Sequence, residues 1–177
     1  IHKLEEEARL LLTYDALTGL LSRRAFLGQS NTLCELAVQQ GISFTILVLD
    51  VDHFKHINDD YGHALGDRVL EAFGSIARTL LQDGELGGRI GGEEFAFLLP
   101  DSTVEQACHF AERLHQTIGE TVIEEHEVAV RFSVSIGIVV CAQQIGVEKA
   151  IVLADKALYQ AKKNGRNQSV IYNESII

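Results

Sequence analysis

The chain has 177 residues, of which 46% are hydrophobic, and sets 15 Lys plus Arg against 25 Asp plus Glu for a formal charge of −10. That length and apolar share suit one domain with a proper core, while the acidic balance excludes broad, non-specific binding to a nucleic-acid polymer. Three cysteines without CxxC spacing (Cys34, Cys108, Cys141) predict reduced thiols in a cytoplasmic setting, and neither a signal peptide nor a bilayer-length apolar run is present.

Residues 1–14 read as a charged helix with Ile1, Leu4, Ala8 and Leu11 along a narrow apolar seam. It is either the end of a coiled-coil-like signalling helix or a frayed terminal helix lying on the domain. The chain starts with Ile and contains no Met, so it is read as a piece of a longer protein whose membrane attachment stays open. A turn over 15–24 follows, with Ser22 as the cap of a helix that turns Phe26, Leu33, Leu36 and Ala37 inward and stops at Gly41. Residues 44–51 are almost continuously apolar, as in a central buried strand. That strand ends in Asp50 and Asp52, which alternation puts on one face. Val69, Phe73, Ile76 and Leu80 then trace a helix with Asp67 at its start.

Two short apolar runs flank Gly91-Gly92, a hairpin signal, and close at Pro100. Ser102-x-x-Glu105 reads as a capping box for a helix with Val104, Ala107, Ala111, Leu114 and Ile118 inward. Apolar residues occupy every even position from Val128 to Val140, which predicts one long strand. Val147, Ile151, Ala154, Leu158 and Ala161 mark a last helix ending near Gly165, before a short strand over 169–172. The fold class is therefore α+β, with helices covering a mainly antiparallel sheet.

Asp50 closes the central strand and Glu93 sits at the hairpin tip. If those strands are neighbours, both carboxylates reach one edge of the sheet, a donor set that suits Mg²⁺ with substrate phosphate completing the shell. The Val51 carbonyl is a third candidate ligand. The segment Asp52-His53-Phe54-Lys55 turns into a short helix whose free N–H groups suit phosphate oxygens, with Lys55 adding positive charge. Lys162 and Arg166 lie four apart at a helix close, where a cation pair also serves simply to satisfy the dipole. A zinc site from His53, His56 and His63 with Asp50 and Asp52 is the competing reading. Its spacing is poor, because His53-x-x-His56 straddles a strand exit and a turn. His63 more naturally shapes the loop before a helix.

Gly91-Gly92-Glu93-Glu94-Phe95 resembles the signature of the GGDEF family of diguanylate cyclases in its Glu form. Four further blocks resemble the family in order: Asp15-x-Leu17-Thr18-Gly19-Leu20 with Arg23 (Ser22 standing where Asn is usual), Asp50 to Asp59, Tyr61 to Asp67, and Ala154 to Asn167. The resemblance implies a nucleotidyl-cyclase, palm-like fold with a five-stranded sheet and a βαββαβ core, the catalytic domain spanning 15–177. It implies condensation of two GTP into cyclic di-GMP, with release of two pyrophosphates, between two facing domains of a homodimer. Asp50, Glu93 and the Val51 carbonyl are implied to hold two Mg²⁺ (or Mn²⁺) ions. Asn58 and Asp67 are implied to read guanine. The backbone at His53 and Phe54, with Lys55, Lys162 and Arg166, is implied to grip the triphosphate, and His63, Gly91 and Gly92 to border the substrate. Lys55 also steadies transition-state charge, and Glu93 or Glu94 accepts the hydroxyl proton. An upstream sensory domain is the implied partner in a parent that is cytoplasmic here and membrane-anchored or not elsewhere. Family members with product feedback carry Arg-x-x-Asp before the Gly-Gly pair, where this chain has Gln82-Asp83-Gly84-Glu85, so strong feedback through that motif is not expected. The alternative is a catalytically silent domain that binds GTP or cyclic di-GMP as an interaction module.

Overall fold

A computed structural model describes residues 1–142 and 145–174. The elements run α1 (His2–Thr13), α2 (Arg23–Gln40), β1 (Phe44–Val51), α3 (Phe54–Tyr61), α4 (His63–Leu80), β2 (Leu86–Arg89), β3 (Glu94–Pro100), α5 (Val104–Glu120), β4 (Ile123–Glu125), β5 (Val128–Val130), β6 (Val134–Cys141), α6 (Val147–Lys163) and β7 (Ser169–Ile171). β1 is buried at every position, because it is the centre of a five-stranded sheet ordered β2-β3-β1-β6-β7. β1 pairs antiparallel with β3 and β6, β2 pairs antiparallel with β3, and β7 runs parallel to β6. The sheet is thus mainly antiparallel with one parallel edge.

Alternation along β1 sorts two cores. Leu47, Leu49 and Val51 join Phe73, Phe95, Phe97, Leu114 and Ile136 beneath α4 and α5. Ile46 and Val48 join Phe26, Ala96, Leu98, Val139, Ala154 and Leu158 beneath α2 and α6. The first core is ringed: Phe73 lies 4.3 Å from Phe95, and Phe97 lies 5.4 Å from Phe110, centroid to centroid. Each fully buried Phe or Leu contributes about 1.5–3 kcal/mol relative to exposure.

Four details differ from the sequence reading. The alternation over 128–140 is not one strand. β5 pairs with β4 in a separate ribbon, and β6 begins only at Val134. Between them the Ser133 carbonyl accepts from the Asp52 N–H, and Arg131 reaches the Gly119 carbonyl. The period survives the break because Val130, Phe132 and Val134 all enter the same core. The capping box is one residue later: Thr103 and Gln106 exchange its two bonds, since the Ser102 hydroxyl is engaged with Thr45 and the Leu99 carbonyl. That register leaves Val104 exposed and turns Phe110 inward. α4 opens at His63, a turn before Asp67, after Gly62 takes φ 90°. In α2, Ser22 caps as expected and Gly41 closes in the left-handed region, but Leu36 is exposed and Cys34 buried.

Along the seam of α1, Leu4 is exposed, while the Leu11 side chain lies outside the described residues, as do residues 175–177 of the expected catalytic domain. Among the described residues no helix is long and apolar enough to cross a membrane.

Candidate active site

The antiparallel register of β1 and β3 sets Asp50 against Glu94, and the Val51 N–H donates to the Glu93 carbonyl at 3.2 Å. The strand end is thereby stitched to the hairpin tip, and the two acids that are 43 positions apart in the chain meet at one cleft. That cleft, of about 240 Å³, is lined by Asp50, Val51, Asp52, His53, Phe54, Lys55, His56, Glu93, Lys162 and Arg166. The Lys162 ammonium lies 2.7 Å from Asp50 Oδ2. Arg166 is not on α6, as its spacing from Lys162 suggested. It follows the helix in a left-handed turn, φ 64° at Arg166 and 48° at Asn167, that still brings it to the cleft.

Charge in the cleft is frustrated. Burial, with the Asp52 charge, leaves the Asp50 carboxyl above its ordinary range although the hydrogen bond and charge of Lys162 draw it down. Burial also pushes Glu93 up, and the Asp50 charge adds to it. Two carboxylates whose charged forms are disfavoured by burial in this way fit a divalent cation, which would relieve both penalties at once. A zinc cage has no such support. The His53 and His56 rings stand 5.5 Å apart, and among the described residues no three His, Cys, Asp or Glu groups gather around one point.

His53 adopts φ 54° to turn β1 into α3 and gives that helix no side-chain cap, so its first N–H groups have no acceptor from the protein's own cap residue. Asn58 lies on α3 outside the cleft lining, and its Oδ1 is buried without a hydrogen-bond partner among the described residues. A Cβ at Gly66 would fall 1.9 Å from that oxygen, so a side chain there would force the Asn58 amide out of its place. Asp67 follows, exposed on α4, while His63 opens α4 at the surface and does not line the cleft. Glu94 does not line it either. Its Oε2 turns toward Gly91, where a Cβ would come within 2.3 Å. The Gly92 carbonyl accepts from Arg89 Nε and Nη2 at 3.0 and 2.7 Å, holding the tip that carries Glu93.

Arg89 also pairs with Asp15 at 3.2 Å. Burial would raise the Asp15 carboxyl, but bonds from the Thr18 hydroxyl and N–H, with the Arg89 charge, hold it below its ordinary value. Sequence alone gave Arg89 no role. It missed Asp52 as well. That buried carboxylate accepts from Ser133 Oγ (2.7 Å), Ser135 Oγ (2.6 Å) and the Asn167 N–H (3.0 Å), locking β1 to β6 and to the turn that carries Arg166. The only hint was its parity with Asp50. Hydrogen bonds to charged groups contribute about 1.5–3 kcal/mol each. Asp52→Ala is therefore expected to lower stability by roughly 3 kcal/mol, about 6–12 °C in Tm for a chain of this size. Asp52→Asn should lose less. Equal melting curves for wild type and Asp52→Ala would refute the lock.

The family model for "Diguanylate cyclase, GGDEF domain" matches residues 12–168. Diguanylate cyclase DgcM of Escherichia coli K12 is 37% identical over 168 residues, which is 94% of this chain and 40% of that protein. The chain thus spans less than half the length of this curated relative. The GGDEF domain of DgcB from Caulobacter crescentus, solved with c-di-GMP, superposes with TM-score 0.87 at 29% identity over 90% of this chain and 92% of that one. The active GGEEF domain of a diguanylate cyclase from Vibrio cholerae superposes with TM-score 0.81 at 31% identity, covering 88% and 99%.

Proposed function

Since the chain belongs to the GGDEF-domain family of diguanylate cyclases, we propose that it condenses two GTP molecules into cyclic di-GMP and two pyrophosphates. The observation that carries this reading is the convergence of Asp50 and Glu93 on one cleft with Lys55, Lys162 and Arg166. Residues 15–177 are the catalytic domain and 1–14 the end of a signalling helix. Asp50, Glu93 and the Val51 carbonyl would hold two divalent ions, Mg²⁺ or Mn²⁺, which supply charge neutralisation and activation of the attacking hydroxyl when bound. The left-handed, uncapped turn at His53 supports phosphate binding by the His53 and Phe54 N–H groups, and Lys55, Lys162 and Arg166 balance the remaining charge.

Guanine is read by Asn58 and Asp67. The unpartnered Asn58 Oδ1 supports this, because a base N–H would satisfy it. Gly91 and Gly92 keep the tip narrow, and His63 borders the base from the start of α4. In each half-reaction a 3′-oxygen bonds to the α-phosphorus of the other nucleotide as pyrophosphate leaves. Glu93, raised above its ordinary value by burial and the Asp50 charge, is better suited than Glu94 to accept the hydroxyl proton, since Glu94 faces Gly91. One cleft per chain accommodates one GTP, so two chains meet face to face. Much longer curated relatives support an upstream sensory domain acting through α1, with the domain in the cytoplasm where GTP is found.

The 82–85 turn is closed by the Gln82 N–H on the Glu85 carboxylate and borders a groove that Asp83, Asp101 and Glu105 share with His109 and Arg113. With no arginine in the turn itself, feedback through that motif is weak at most, and Arg113 is the cation a remnant product site would use. Incubation with GTP and Mg²⁺ tests the whole reading by release of pyrophosphate and cyclic di-GMP. A folded dimer that binds GTP without turnover would instead mark a silent binding module.

A further inference from the structure

Lys162 and Arg166 both line the cleft, yet among the described residues only Lys162 forms an ion pair with an acid. Its ammonium donates to Asp50 Oδ2 at 2.7 Å, and among the described residues it is the one side chain that donates to that carboxylate. The neighbouring Asp52 is occupied by Ser133, Ser135 and Asn167, so it offers Lys162 no alternative. Glu93 stands across the cleft with no Lys, Arg or His within ion-pair distance among the described residues.

The scaffold enforces the Lys162–Asp50 pair. Lys162 sits in the last turn of α6, whose Ala154, Ala157, Leu158 and Ala161 are buried against the sheet. Its Cα cannot recede, so the ammonium leaves Asp50 only by turning about its own side-chain bonds. With the Asp50 side chain 12% exposed, little water is available to replace it.

We infer that Lys162 is the resident counter-ion of Asp50, a charge that a divalent cation must displace, and that nucleotide phosphate receives the displaced ammonium. Cation and nucleotide then bind as a coupled pair. This rests on the reading of Asp50 and Glu93 as the cation-holding acids. The physical reason is crowding of two positive charges on one carboxylate, since Lys162 already holds its Oδ2. A cation arriving alone strands Lys162 beside a like charge in a half-buried cleft, whereas a triphosphate gives the ammonium a new anion. By linkage, each ligand then tightens the other by the same factor.

The test needs no turnover. Mn²⁺ alone is titrated into nucleotide-free protein and free Mn²⁺ is followed by electron paramagnetic resonance, then the titration is repeated with a saturating non-hydrolysable GTP analogue, against a protein-free blank of the same analogue whose own Mn²⁺ binding is subtracted. Wild type should bind Mn²⁺ weakly by itself and roughly 5–150-fold more tightly with the analogue. Lys162→Gln should bind Mn²⁺ alone at least about tenfold more tightly than wild type and lose most of the coupling. Lys162→Met should behave the same way, and Lys162→Arg, which keeps a cation on Asp50, should follow wild type. Arg166→Gln removes a charge from the same cleft without freeing Asp50. If it equals Lys162→Gln, only the general field matters and the inference falls. It falls too if Lys162→Gln matches wild type, while Mn²⁺ binding with the analogue leaves the cation-site reading standing. No Mn²⁺ binding by any of these proteins, even with the analogue, overturns both.

Discussion

Glu93→Gln is expected to give a folded protein that melts at a higher temperature than wild type near pH 7 and makes cyclic di-GMP at least about 100-fold more slowly. The amide keeps the shape of the side chain, so the hairpin tip and its Arg89–Gly92 bonds should persist. What changes is charge. Burial, and then the Asp50 carboxylate, raise the Glu93 carboxyl above its unfolded value. The folded state therefore holds that proton more tightly than the unfolded state does. Stability falls as pH rises through the interval between the two values and stays reduced above it. Removing the charge recovers that loss at pH 7 and nothing at a pH below the unfolded glutamate range, about 4.3. Melting curves of both proteins across pH, beside chromatographic assay of the product, read the two effects separately. Undiminished turnover would end the assignment of Glu93. A variant melting below wild type at pH 7 would end the electrostatic account.

Gly137→Ala is expected to cost roughly 3 kcal/mol or more, a drop of about 6–12 °C in Tm, and to take most of the activity with it. Gly137 lies in β6, opposite Val48, where α6 rests directly on the sheet. A Cβ there would fall 1.9 Å from the Ala154 carbonyl oxygen and 2.4 Å from the Leu158 nitrogen. Both are backbone atoms in a helix, so no rotamer relieves the clash and α6 has to lift. Lys162 rides on that helix and Arg166 on the turn after it, so the cleft opens when the helix moves. Gly119→Ala is the control: in α5, a Cβ meets nothing within 4 Å, and alanine there should be neutral or stabilising by up to about 1 kcal/mol. If Gly137→Ala melts like Gly119→Ala, the packing argument is wrong.

Sequence disclosed much of what depends on residues near one another and, through the signature motif, one distant meeting. The apolar run 44–51 is a buried strand because nothing else accommodates it, Ser22 and Gly41 bound α2, and the two acidic tips are the ones that meet. Distant partners and competing local choices stayed hidden. Asp52 looks like a second metal ligand until Ser133, Ser135 and Asn167, more than 80 positions away, are seen to use its oxygens. Ser102 and Thr103 both satisfy the capping pattern, and a hydroxyl 57 residues earlier in the chain, on Thr45, decides between them. The alternation from Val128 to Val140 reports which side faces the core, and it is blind to the break between β5 and β6.

The Asp15–Arg89–Gly92 relay has a mechanical consequence. α1 ends at Thr13, and the Ser22 N–H and hydroxyl clasp the carbonyls of Thr13 and Leu12, so the rod is clamped where it enters. Two residues beyond the rod, Asp15 grips a guanidinium whose other edge holds the peptide beside Glu93. The end of α1 is thus joined to the peptide beside that acid by the covalent chain and hydrogen bonds alone, with no further element between them.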